Sequence, residues 1–227
     1  KKNIYKVGCS RFETYYTETN YKKILDNPYI LFVGMASQFN EKKILKIIDE
    51  TISDNKKFFH DIKLLYRPHP WQKNLGIINE KDFENLVLDP QIKEHYNKGI
   101  WKIDFQPSLK YYPSLIKGAE LVIGGASTFL LEATIMKTKY IVIAIKEKSY
   151  ESINDSYSIL NSYTHLDGIT NNKLLEFCYE YNDIYQSIKR TKNKIYPIDE
   201  RKEFLEFYIG NNNVERYEER LYKSIMD

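Results

Sequence analysis

The stretch "ELVIGGASTFLLEATIMKTKYIVIAI" (120–145) decides the fold. It opens on a short β-branched run, turns at Gly124-Gly125, continues as an apolar segment of helix length and closes on "YIVIAI". Strand, glycine turn, helix and strand within 26 residues form a βαβ unit. Such a unit joins parallel strands by a right-handed crossover.

Working outward, the same alternation recurs. "YILFVGMAS" (29–37) reads as a buried strand closed by glycine and small residues. "NEKKILKIIDETISD" (40–54) sets Ile44, Ile47, Ile48 and Ile52 at helical spacing, with Asn40 as its N-cap. "IKLLY" (62–66) is a second strand, and "WKIDF" (101–105) a weaker one. The polar stretch 71–100 predicts a helix or two with loops, and "YYPSLIKGA" (111–119) a short helix stopped near Gly118. Beyond 150 the pattern turns helical, in 173–189, 201–210 and 213–227. The expected fold class is therefore α/β: a doubly wound, Rossmann-like parallel sheet with a helical C-terminal segment. Its expected division is a leading segment (1–28), a doubly wound domain (29–170) and C-terminal helices packing on it (171–227).

The chain of 227 residues is 42% hydrophobic and 29% charged, ordinary for a globular protein. A net charge of +3 gives no basic face for nucleic acid, and "KRTKNK" (189–194) reads as a solvated run. Cys9 and Cys178 stand far apart and outside any metal-ligand spacing, which reads as reduced thiols in a cytoplasmic setting. The longest apolar runs are far below the roughly 20 residues of a membrane span. No signal peptide is legible, and the start "KKNIYKVGCSRF" lacks an initiator Met, so the chain reads as a fragment.

In an open parallel sheet, ligands bind beyond the carboxyl ends of the strands. Three unusual turns belong there: "GMASQ" (34–38), "RPHPW" (67–71) and "GGAST" (124–128). Gly125 permits close backbone approach, while Ser127 or Thr128 starts the next helix, whose free N–H groups and dipole suit an anion. Glu132 follows one turn later, placed to reach a ribose hydroxyl. By itself this motif reads rather as a turn and a helix cap. "RPHP" is equally a strand ended by prolines with Arg67 solvated. Yet His69 between Pro68 and Pro70 has a restrained backbone, and an imidazole so held can donate to a phosphate oxygen. Ser37 reads as part of a polar loop after its strand, with a place in the same cleft as the alternative. His165, in "SYTHLDG", reads either as a residue near the site or as an ordinary loop histidine, and no metalloprotease, zinc-ribbon or nucleophile-elbow motif occurs.

"RPHP" after a strand, followed by "ELVIGGASTFLLEA…KYIVIAI", resembles the C-terminal, nucleotide-binding half of GT-B glycosyltransferases. The nearest resemblance is to bacterial surface-polysaccharide enzymes using CMP-activated sugars, namely sialyl, Kdo and other nonulosonic acid transferases. It implies that His69 and Pro70 form a His-Pro motif, with His69 stabilising the leaving phosphate, and that Ser127 and Thr128 form the paired hydroxyl motif. Arg67, Gly125 and Ser37 would join the nucleotide site, and Glu132 would meet the ribose. "VGCSRFETYY" (7–16) resembles the segment linking the two GT-B domains, with Ser10 and Glu13 in place of its proline and aspartate. The implied partners are a nucleotide-sugar donor, a glycan or lipid-linked acceptor and a preceding N-terminal GT-B domain that supplies the catalytic base. No cofactor or metal is implied, and no Asp-x-Asp is present. The implied activity is inverting transfer to a bacterial surface glycan acceptor, carried out in the cytoplasm, with peripheral contact at the inner membrane face compatible with it. A CDP-glycerol or CDP-ribitol polyol-phosphotransferase, and a non-catalytic nucleotide- or partner-binding module, are the alternatives; a UDP-sugar donor is open as well.

Overall fold

The computed structural model describes Tyr5 and residues 7–35, 40–69, 78–97, 108–146, 156–210 and 215–226. Six parallel strands form one sheet: β1 Tyr29–Val33, β2 Lys63–Arg67, β3 Leu86–Leu88, β4 Ala119–Gly124, β5 Tyr140–Ile143 and β6 Glu176–Cys178. Their order, β3-β2-β1-β4-β5-β6, is that of a doubly wound Rossmann sheet. The strand order reverses between β1 and β4, where Val33 pairs with Gly124 on one side and with Arg67 on the other.

Strands covered on both faces are apolar along the covered length, and β1 and β5 are so throughout, as is β4 apart from the exposed Glu120 near its start. Successive residues feed opposite layers. Leu31, Val33, Val122, Tyr140 and Val142 enter one core with Leu115, Leu130 and Phe204; Ile30, Phe32, Ile123 and Ile141 enter the other with Ile44, Ile48 and Ile188. The first layer is covered by α1 (Glu13–Thr17), α5 (Tyr111–Lys117), α6 (Thr128–Ile135), α7 (Ser156–Ser162) and α9 (Ile198–Ile209). The second is covered by α2 (Glu41–Asp54), α3 (Lys56–Phe59) and α8 (Ile184–Asn193). α4 (Pro90–Asn97) follows β3, and α10 (Tyr217–Met226) closes the chain.

The expected Asn40 cap is present, its Oδ1 accepting from the Lys43 N–H at 3.1 Å. Two strands depart from the expectation. β3 lies in the polar stretch 71–100, and β6 lies in 173–189, where the apolar stripe predicts helix. Both are three-residue edge strands, too short to display a period-2 pattern. The strand expected at 101–105 lies outside the described residues.

The turn from α3 into β2 holds His60 at φ 53° and ψ −127°, a region that disfavours any Cβ. The side chain is exposed, so nothing in the packing opposes its removal. His60→Gly is expected to raise stability by about 1 kcal/mol, strain relief outweighing the added chain entropy of glycine. Urea denaturation reads this directly, and an unchanged or lower midpoint would show that the turn relaxes without cost.

Candidate functional site

The described parts of the three turns, Gly34-Met35, Arg67 to His69 and Gly124 to Thr128, come together at the reversal point. The Gly34 N–H donates to the Arg67 carbonyl at 2.8 Å, tying the end of β1 to the end of β2. A Cβ on Gly34 would lie 2.9 Å from the His69 nitrogen and from each carboxylate oxygen of Glu41. On the other side, a Cβ on Gly125 would lie 1.6 Å from Met35 Sδ, and one on Gly124 would lie 2.4 Å from Val33 Cγ2. The glycines at 34, 124 and 125 are thus demanded by close approach between the turns rather than by unusual torsions. The Tyr140 hydroxyl donates to the Gly125 carbonyl at 2.8 Å from inside the core, fixing the turn from below.

Ser127 is the N-cap residue of α6, extended at φ −141° and ψ 176°, but its side chain makes no capping hydrogen bond. Capping is therefore not what its hydroxyl does. It lies beside Tyr140, whose pKa is raised by burial and held back by the Ser127 hydroxyl. Thr128 is exposed, and the first turn of α6 carries no acidic residue. The start of α6 accordingly presents N–H donors and two hydroxyls with no resident negative charge.

His69 is half-buried, and burial lowers its pKa from the ordinary value near 6.5, so the imidazole is neutral at pH 7. Arg67 points the other way, into the protein. Its guanidinium, 2% exposed, donates to Asp89 Oδ2 at 2.7 Å, to Gln91 Oε1 at 3.0 Å and to the Tyr112 hydroxyl at 3.2 Å. It also lies 4.7 Å and 5.4 Å from the ring centres of Tyr112 and Tyr111. Burial alone would lower its pKa, yet Asp89 and Tyr112 outweigh burial and leave it raised. Arg67 therefore anchors the turn that carries His69.

Glu132, fully buried on α6, accepts from Arg11 Nε at 2.9 Å, with Arg11 Nη2 at 2.7 Å from the same oxygen. Burial raises the Glu132 pKa, opposed by Arg11, Tyr15 and Arg67. Among the described residues neither its Oε2 nor the Tyr15 hydroxyl makes a hydrogen bond of ordinary geometry, although Tyr15 lies close enough to act on the Glu132 charge. The leading segment is thereby tied to the helix that begins at Ser127. Ser37 and Pro70 lie outside the described residues.

Glu41, Tyr66 and Asp89 carry no functional signal in the sequence, and Arg11 stands there only within the segment 7–16. Glu41 Oε1 accepts from the Met35 N–H at 3.0 Å and Oε2 from the Tyr66 hydroxyl at 2.5 Å. Asp89 would have been legible only as an N-cap preceding Pro90, its Oδ1 accepting from the Gln91 N–H at 2.8 Å. Among the described residues no cluster of three or more His, Cys, Asp or Glu is placed to hold a metal, and no helix is long and apolar enough to cross a membrane. A separate open cleft of about 460 Å³, lined by Asp167, Lys173, Glu203 and Phe207, contains none of the expected site residues.

No protein-family model matches the chain, and no curated protein matches it in sequence. Solved structures do match. UDP-GlcNAc 2-epimerase from Methanocaldococcus jannaschii is similar at 16% identity and a TM-score of 0.51, over 88% of this chain and 46% of its own. The same enzyme in complex with UDP-GlcNAc and UDP gives 16% identity and 0.49, over 89% and 46%. The C-terminal CMP-Kdo binding domain of WaaA from Acinetobacter baumannii gives 8% identity and 0.43, over 87% of this chain and 91% of that domain. The chain thus spans 46% of the length of the epimerase. At this identity the likeness is one of fold, and the fold is an α/β, Rossmann-like domain with a six-stranded parallel sheet and helices on both faces.

Proposed function

We propose that the chain is the donor-binding domain of a GT-B glycosyltransferase that holds a CMP-activated sugar and transfers the sugar, with inversion, to a surface glycan or lipid-linked acceptor. The observation that carries this reading is the meeting of the His69 turn, the Gly34 turn and the uncapped start of α6 at the point where the strand order reverses. The likeness of fold to the epimerase accords with it.

In this reading the phosphate of the donor sits against the α6 N–H groups, the Ser127 and Thr128 hydroxyls and the imidazole of His69. The bond between the anomeric carbon and the phosphate oxygen breaks, and its electron pair goes to CMP. The developing charge meets donors that are already in place, which is where an electrostatic effect on rate is largest. The acceptor oxygen bonds to the anomeric carbon from the opposite face, and its proton passes to a base on a second, acceptor-binding domain. Glu132 Oε2 is the acceptor offered to a ribose hydroxyl, and access to it requires Arg11 and Tyr15 to draw aside. Arg67 holds the turn that carries His69.

Calorimetric titration of the chain with CMP, UMP and AMP at equal concentrations tests the reading. Saturable binding of CMP, stronger than that of the other two, is expected. Equal, non-saturating responses to all three would refute a nucleotide site on this domain.

A further inference from the structure

The open cleft between α9 and the turns at 167–173 has a volume of about 460 Å³, within the range of sites that take small molecules. It is built from the chain that leads into the start of β6, whereas the candidate nucleotide site lies past the ends of β1, β2 and β4. One wall is a ladder of three rings on α9. Phe204 is buried, the Tyr208 ring lies 4.6 Å from it, and the Phe207 ring lies 4.9 Å from Tyr208, edge to face at 80°. The Tyr208 hydroxyl donates to the Asp167 carbonyl at 3.3 Å and so ties this wall to the facing one. Phe207 therefore stands 75% exposed on a fixed support, as a stacking partner requires. Opposite it, a Cβ on Gly168 would meet nothing within 4 Å.

The polar lining is unused by the fold. Among the described residues the side chains of Asp167, Asn171, Lys173 and Glu203 make no hydrogen bond or ion pair. Asn172 uses its Oδ1 to accept from the Leu174 N–H at 2.8 Å, which keeps its two amide N–H donors in reserve. This mixture selects a class of ligand. Carboxylates only accept, a lysine only donates, and an amide does both. An organic cation needs acceptors alone and would meet the like charge of Lys173; a phosphate needs donors alone and would meet Asp167 and Glu203. A sugar carries hydroxyls that donate and accept around its rim, and C–H groups on its face that suit the electron-rich face of an aromatic ring. An open cleft also suits it, because the outer hydroxyls stay in water.

We propose that this cleft is a carbohydrate site: it takes a neutral oligosaccharide whose ring face stacks on Phe207 and whose hydroxyls pair with Asp167, Asn171, Lys173 and Glu203. The inference goes beyond the donor-domain reading and does not depend on it. A glycan held there lies apart from the candidate nucleotide site, so it is gripped rather than transformed.

Saturation-transfer NMR of the whole chain tests this, with maltotetraose and tetra-N-acetylchitotetraose as neutral probes, sialyllactose as an anionic one and choline as a cationic one. At least one neutral oligosaccharide is expected to bind saturably and more tightly than sialyllactose or choline, with transfer strongest to the C–H protons of one sugar ring. Phe207→Ala is expected to weaken that binding about tenfold or more, and Phe207→Tyr to keep it within about threefold. Because Phe207 is exposed, Phe207→Ala should keep its fold and its response to CMP, and CMP should not displace the sugar. Failure of both neutral oligosaccharides to bind, tighter binding of sialyllactose or choline, or a Phe207→Ala variant that binds as wild type does would each overturn the inference. The CMP titration decides the donor-domain reading separately: CMP binding without sugar binding sinks this inference alone, and sugar binding without CMP binding sinks that reading alone.

Discussion

Asp89→Ala is expected to remove about 3–5 kcal/mol of stability, the largest effect of any single substitution near the site. Asp89 is fully buried, and its two oxygens serve three elements. Oδ2 accepts from Arg67 at 2.7 Å; Oδ1 accepts from the Tyr111 hydroxyl at 2.9 Å and from the Gln91 N–H at 2.8 Å. Removing the carboxylate leaves the guanidinium buried against Gln91 Oε1 and the Tyr112 hydroxyl, neither of which carries charge. Against a total of roughly 5–15 kcal/mol, such a loss is a large share. For a domain of this size it corresponds to a fall in Tm of roughly 6–20 °C. Guanidinium denaturation should show a lower midpoint with an unchanged slope. The double variant Arg67→Met, Asp89→Leu removes both charges and should recover most of the loss, because the penalty comes from the unpaired cation rather than from the absent bond. A loss below about 1 kcal/mol in Asp89→Ala would mean that Arg67 reaches water in solution.

That pair also marks where the sequence stops being legible. "LLYRPHP" shows a strand ending in a stiff turn, and it places His69 correctly at the edge of the sheet. Whether Arg67 faces solvent, ligand or core depends on Asp89, Tyr111 and Tyr112, which arrive from β3–α4 and from α5. No local pattern encodes a partner 22 residues away. Glu132 has the same character: its spacing from Ser127 is visible, but its partner Arg11 lies 121 residues earlier. The central strands and their helices were legible because burial on both faces writes a continuous apolar run. β3 and β6 were not, since three residues at a sheet edge have only one buried side chain each. The glycines sit between these cases. A Gly-Gly pair announces a turn, while the reason for it, Met35 lying over Gly125, exists only once β1 and β4 are neighbours.

The His69 imidazole is the group on which the proposed chemistry depends most. His69→Ala is expected to weaken CMP binding about 10- to 100-fold, the cost of one hydrogen bond to a charged partner, about 1.5–3 kcal/mol. Its effect on stability should be small, because the side chain is only half-buried and the turn is held by the Arg67 carbonyl and guanidinium instead. The pH dependence separates this role from a structural one. In the free protein burial lowers the His69 pKa, so the folded state takes up its proton at lower pH than the unfolded chain does. Stability therefore falls as pH drops from the ordinary histidine value near 6.5 towards the lowered one. A bound phosphate reverses the preference, since a nearby anion favours imidazolium. Wild-type affinity for CMP should thus rise as pH is lowered from 8 towards 6.5, with uptake of a proton on binding, while His69→Ala shows a flatter profile. Calorimetry in two buffers of different ionisation enthalpy measures that uptake. If His69→Ala binds CMP as wild type does, or loses binding only together with its fold, the imidazole does not meet the phosphate, and the prolines around it serve the strand end alone.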